Sequence, residues 1–173
     1  MKKIYIAGVP GSGAELLSKL FYSFFGITHI DHSENLSYEV AAKSKSPGVW
    51  ISNGEDLLSQ VESEMEVDPD LQLAQLIEGG VQIVYVRRDV EALMLSGGAA
   101  NADQRQEHSD AFASTHFEKI SIVADIEDVM LFPDEEQARF AEALGLKIMS
   151  PWSSFPSAVP VKHRGQSPQS PQV

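Results

Sequence analysis

Within its first 25 residues the chain runs from an apolar stretch through a cluster of glycines into an amphipathic helix pattern, and no other feature constrains the fold as much. Lys2, Lys3, Ile4, Tyr5, Ile6 and Ala7 read as a short buried strand, Gly8-Val9-Pro10-Gly11-Ser12-Gly13 as a tight loop, and residues 14–25 (AELLSKLFYSFF) as a helix. In such a strand, glycine loop and helix, backbone N–H groups and the positive end of the helix dipole face one point, where an anion, usually a phosphate, is held. The expected anion-binding positions are Gly8, Pro10, Gly11, Ser12, Gly13 and Ala14.

The spacing Gly8-x-x-x-x-Gly13 fits the first half of the P-loop pattern GxxxxGK[ST]. The second half is replaced: Ala14 stands at the lysine position and Glu15 at the hydroxyl position. That lysine normally reaches the β- and γ-phosphates and the hydroxyl binds Mg²⁺. Phosphoryl transfer from Mg-ATP depends on both charges, so no metal is expected here. The loop is also similar to the adenylate-kinase type, GxPGSGKGT, minus its lysine. A nucleotide kinase would need a substitute such as Lys19 or Lys43.

Further along, strand and helix patterns alternate. Residues 27–30 and 49–52 are strand candidates, and residues 33–42 have mixed helical character. Residues 55–65 and 69–78 read as helices, the second opening on Pro69 and closed by Gly79-Gly80. Residues 81–86 (VQIVYV) lack polar alternation, as a parallel strand covered on both faces should. Asp89 is a candidate N-cap for a helix over 89–95, and residues 101–117 form a polar helix or insertion. A fifth strand is expected at 120–123, a helix at 133–144 ending on Gly145, and a short last strand at 146–149. From residue 150 the chain turns rich in Pro, Ser and Gln. This divides it into a domain over residues 1–149 and a flexible tail over 150–173.

The 173 residues suit about one domain. The formal net charge of −12 argues against general binding to nucleic acid or an anionic membrane. There is no cysteine, and no apolar run approaches the roughly 20 residues of a membrane span. A cytoplasmic location is expected, with the oligomeric state open. Histidines flank Asp31 as His29 and His32, and recur as His108 and His116, without the further partners that a metal site needs.

The second informative stretch is Val84-Tyr85-Val86-Arg87-Arg88-Asp89, with Ser96 eight residues beyond Arg88. Together with Gly8-Val9-Pro10-Gly11-Ser12-Gly13-Ala14-Glu15-Leu16-Leu17 it resembles the sulfotransferase family, whose GxPxSGTTxL loop holds the 5′-phosphosulfate of 3′-phosphoadenylyl sulfate (PAPS). In that family a strand-end arginine and a serine eight residues later hold the 3′-phosphate. Residues 125–129 and 139–146 also look like the family's closing strand, loop and helix. The resemblance implies a three-layer P-loop NTPase-like α/β fold, with a mainly parallel sheet of about five strands. It implies PAPS or adenosine 3′,5′-bisphosphate as ligand, with Arg88 and Ser96 on the 3′-phosphate.

This chain departs from the family at Gly11, where a cation stabilises the leaving bridging oxygen, at Ala14 and Glu15 in place of two threonines, and at Ile51-Ser52-Asn53 in place of a Lys-Thr-His that carries the base. Two functions follow as expectations. One is a sulfotransferase-like protein binding PAPS or its product and transferring a sulfuryl group to a hydroxyl or amine. The other is a catalytically inactive nucleotide-binding or protein-interaction module on the same fold.

Overall fold

A computed structural model describes residues 2–9, 11–27, 30–31, 37–51, 69–95 and 102–155. The architecture is α/β. The strands are β1 (Lys3–Ala7), β2 (Ile30–Asp31), β3 (Gly48–Ile51), β4 (Val81–Arg87) and β5 (Ile122–Asp125). They lie in the order β2-β3-β1-β4-β5 and every pairing is parallel. Four strands of four to seven residues form the body of the sheet, and β2 adds two residues at one edge.

The lack of polar alternation in β1 and β4 has its reason in the layers. Ile4, Ile6, Val84 and Val86 point to one face, covered by α1 (Ala14–Phe24), α6 (Ile126–Leu131) and α7 (Pro133–Leu144). Tyr5, Ala7, Ile83 and Tyr85 point to the other, covered by α2 (Ser37–Lys43), α3 (Pro69–Glu78) and α5 (Ala102–Thr115). With helices on both faces, each strand buries successive residues, and the parallel sheet needs no polar side. The six-residue α4 (Val90–Leu95) follows β4, and its Leu93 packs on Val9 of the glycine loop.

Helix boundaries follow the sequence signals closely. The helix α3 starts at Pro69, and α7 starts at Pro133 with three acids in its first turn. The Asp89 carboxylate accepts the Ala92 N–H at 3.2 Å, the expected N-cap bond of α4. The polar stretch over 101–117 is α5, followed by a 3-10 turn at Phe117–Lys119.

Other expectations are corrected. The strand foreseen at 146–149 does not form. Leu146 donates its N–H to Ala141 O at 2.9 Å, the 6→1 bond that closes α7, and Met149 donates to Phe24 O at the end of α1. Those two donors serve helix ends rather than a ladder. Residues 125–129, aligned by resemblance with a closing strand and loop, are the end of β5 and most of α6. The packed structure continues past Met149 through a 3-10 turn at Trp152–Ser154. Trp152 is 2% exposed, with its ring centroid 5.6 Å from Phe140 and 5.7 Å from Phe25. The helix expected over 55–65 lies outside the described residues.

Candidate functional site

The chain leaves β1 towards the β3 side of the sheet and leaves β4 towards β5, so the loops after these adjacent strands diverge. At such a switch point an open parallel sheet forms a crevice beyond its carboxyl ends. The glycine loop lies on one side of it and Arg87 and Arg88 on the other. Although 77 residues apart in sequence, the two stretches touch: Arg88 Nη1 donates to Gly11 O at 3.1 Å.

Close packing shapes the loop. A Cβ on Gly8 would sit 2.5 Å from Ser12 Oγ and 2.7 Å from Val86 O, so this position admits only glycine where the loop crosses the end of β4. Ser12 donates its N–H to Val9 O at 3.0 Å and closes a tight turn. That donor, expected to face a ligand, is therefore engaged within the loop. The Ser12 side chain is fully buried, and its Oγ has no hydrogen-bond partner among the described residues. Gly11 is exposed at the loop tip. Gly13, at φ 100°, is the N-cap of α1 and accepts the Leu17 N–H at 3.0 Å. No side chain caps this helix start, so first-turn N–H groups are left for solvent or a ligand. Ala14, the first helical residue, is half-buried.

Glu15 does not fill the loop. Its carboxylate pairs with Lys19 one turn along α1, at 3.2 Å, and both side chains are exposed. Lys43 pairs with Glu39 at 3.1 Å. Neither lysine considered for a kinase-like role is directed at the glycines. His116 lies 2.8 Å from Asp70, linking the turn after α5 to α3. Pro10, Ser96, His29 and His32 lie outside the described residues.

The two arginines divide. Parallel register sets Arg87 opposite Asp125, and the guanidinium grips that carboxylate through two bonds, Nη2 to Oδ2 at 3.1 Å and Nε to Oδ1. The Asp125 hydrogen bond raises the Arg87 pKa further above its ordinary value. Arg88, besides its bond to Gly11, has Glu127 at 4.0 Å, and Glu127 itself accepts the Asp89 N–H at 3.1 Å. A guanidinium has five N–H donors, so one bond to Gly11 leaves donors free for an oxyanion.

Sequence reasoning missed a polar cluster on the α5 side of this end of the sheet. Tyr85 OH donates to Asp110 Oδ1 at 2.6 Å, and Gln106 Nε2 donates to both Tyr85 OH and Asp110 Oδ1 at 2.9 Å. Burial, followed by the bond to the Asp110 carboxylate, pushes the Tyr85 pKa far up and keeps the phenol neutral. The available signal was Gln106 and Asp110 one turn apart on a polar helix, following a strand whose only hydroxyl is Tyr85. Gln106 and Asp110 of this cluster form part of the wall of a cleft of about 450 Å³ that also takes in Arg87 and Arg88.

The chain matches no family model and no curated protein. No helix among the described residues is long and apolar enough to cross a membrane. Among the described residues no group of three or more His, Asp or Glu side chains stands together in a way that could hold a metal ion.

Proposed function

We propose that this chain is a P-loop-type domain of sulfotransferase-like character that binds PAPS or adenosine 3′,5′-bisphosphate at the glycine loop and Arg88. One observation carries the reading: the guanidinium of Arg88 lies on the carbonyl of Gly11, joining two motifs that are unrelated in sequence. The all-parallel sheet, the loop after its central strand and the uncapped start of α1 agree with it. In this reading first-turn N–H groups and the N–H of Gly13 face the 5′-phosphosulfate, and free donors of Arg88 take a phosphate. A nucleotide kinase fits less well, because Lys19 and Lys43 are engaged with Glu15 and Glu39.

A second reading, a binding module without catalysis, is favoured by Gly11 itself. The position at which the resembled family carries its cation offers only a carbonyl, which Arg88 occupies. A cation aimed at the leaving oxygen is worth several kcal/mol in a transition state, and a backbone carbonyl supplies none of it.

The test is calorimetric titration with adenosine 3′,5′-bisphosphate, AMP and ATP, on the natural chain and on Arg88→Ala. Micromolar binding that requires the 3′-phosphate is expected, weakened in the variant by about 1.5–3 kcal/mol, the worth of hydrogen bonds to a charged group. Absence of binding by all three nucleotides refutes the proposal. Binding of PAPS that stays intact in the presence of hydroxyl and amine acceptors selects the second reading.

A further inference from the structure

The cleft behind the two arginines has an excess of negative charge unlike that of an anion site. Asp89, Asp110, Asp125, Glu127 and Asp128 line it against Arg87 and Arg88. Arg87 is closed on Asp125, and Arg88 stands near Glu127. Asp89 and Asp128 form no ion pair among the described residues, and Asp110 feels the Arg87 charge without pairing directly with it, which leaves the lining with a net charge of about −3. A polyanionic nucleotide seated on the loop side of Arg88 is repelled from this space.

A second observation, independent of charge, points to a hydrogen-bond donor as the occupant. Gln106 is 2% exposed in the cleft wall, and its amide nitrogen is fully used on Tyr85 and Asp110, while its Oε1 is buried with no partner among the described residues. A buried acceptor left without a donor is costly, so the site is incomplete as it stands. Beside it, the Tyr85 and Gln106 bonds both land on Asp110 Oδ1. They fix the carboxylate and leave Oδ2 for something else. A primary ammonium group carries three donors and a positive charge, and so matches one amide oxygen, one oriented carboxylate oxygen and the surrounding charge. The volume of about 450 Å³ suits a molecule of sugar to nucleoside size.

We propose that this cleft binds a small molecule bearing a primary ammonium group, held by Asp110 and Gln106, and that, resting on the nucleotide reading above, this molecule is the acceptor. The loop and the cleft then take oppositely charged ligands on the two sides of Arg88. The polar helix α5 supplies the acceptor side, and Tyr85 is a positioning residue for Asp110.

The experiment is an amide NMR titration of the full chain with glucosamine, spermidine, glucose and magnesium chloride. Adenosine 3′,5′-bisphosphate is titrated separately and followed at Gly11 and Gly13. Saturable shifts of the Gln106 side-chain amide are expected with the two amines and not with glucose, weaker at high salt. Asp110→Asn should weaken amine binding at least about tenfold, as a lost charged hydrogen bond does. The exposed Asp128→Asn should weaken it about two- to threefold, the worth of a solvated ion pair, and Glu142→Gln on α7 should leave it unchanged. Because Asp110→Asn could disturb the Tyr85 cluster, Asp128→Asn keeps the test decisive. The proposal is overturned if neither amine shifts Gln106, if glucose matches glucosamine, or if magnesium alone reproduces the shifts. Nucleotide binding without amine binding overturns this proposal alone. Amine binding without nucleotide binding supports the pocket and refutes the nucleotide reading.

Discussion

Replacing Gly13 by alanine tests the architecture of the site at its tightest point. Two separate costs are expected. Gly13 sits at φ 100°, where a Cβ is sterically disfavoured by about 1–2 kcal/mol. The added methyl would also lie 2.5 Å from Ile126 Cγ1 and 2.8 Å from Cδ1. Ile126 is 3% exposed in the core, so relief requires movement of a packed side chain, typically costing about 1–3 kcal/mol. The sum is about 2–5 kcal/mol, a large part of the roughly 5–15 kcal/mol that holds a domain folded. Urea unfolding with an m-value of about 2 kcal/mol/M should show the midpoint lowered by about 1–2.5 M. The two costs separate in a double-mutant cycle with Ile126→Ala, which removes both contacted carbons. In that background the Gly13→Ala penalty should fall to the backbone part, giving a coupling of about 1–3 kcal/mol. A penalty below about 1 kcal/mol, or the same penalty in both backgrounds, would refute the placement of the loop against α6.

Trp152→Ala should cost about 3–5 kcal/mol in urea unfolding, because the ring is buried among Phe21, Phe25 and Phe140. A chain ending at residue 149 should lose at least as much, and stability equal to the full chain would contradict the packing. Asp134 accepts the Ser153 N–H at 2.9 Å and the Ser153 hydroxyl at 2.7 Å, and these bonds hold its carboxyl below its ordinary value of 3.8. Its contribution to stability is therefore complete above that value and is lost as pH falls through the lower folded-state pKa. Urea midpoints of Asp134→Asn should lie below those of the natural chain at neutral pH and converge with them as pH falls below the ordinary carboxylate range. A pH-independent difference would rule out this linkage.

Much of the frame was legible because its signals are local. Pro69 and Pro133 fix where α3 and α7 begin, and Asp89 caps α4. The unbroken apolar runs of β1 and β4 reflect cover on both sheet faces. What escaped depends on partners distant in sequence. The six-residue α6 buries Ile126 and Val129, too few positions to establish a period. Residues 146–149 read as strand because apolar content alone does not say that their N–H groups will close α1 and α7. Trp152 stands in a Pro- and Ser-rich stretch, and only the aromatic cluster under α1 and α7 shows it as core. The Tyr85, Gln106 and Asp110 cluster required the register of β4 against α5, which no single-chain pattern encodes.

The glycine spacing itself carries less functional information than its pattern suggests. Gly8 is required because a side chain there would collide with Ser12 and the end of β4, and Gly13 because it would collide with Ile126 in a left-handed conformation. Both glycines would be needed for this strand, loop and helix to pack even if no ligand ever bound. Packing also explains why Ser12 is buried and why its N–H is turned to Val9. The contact between Arg88 and Gly11 is different in kind. A guanidinium left about one-third exposed contributes little to folding by donating to a single exposed carbonyl, and β4 could end on any polar residue without disturbing the layers beneath. The placement of that charge on the loop that leads into an uncapped helix start therefore weighs more for the proposed anion binding than the glycines do. The acids behind it add the corollary that an anion bound as proposed would stay on the loop side of Arg88.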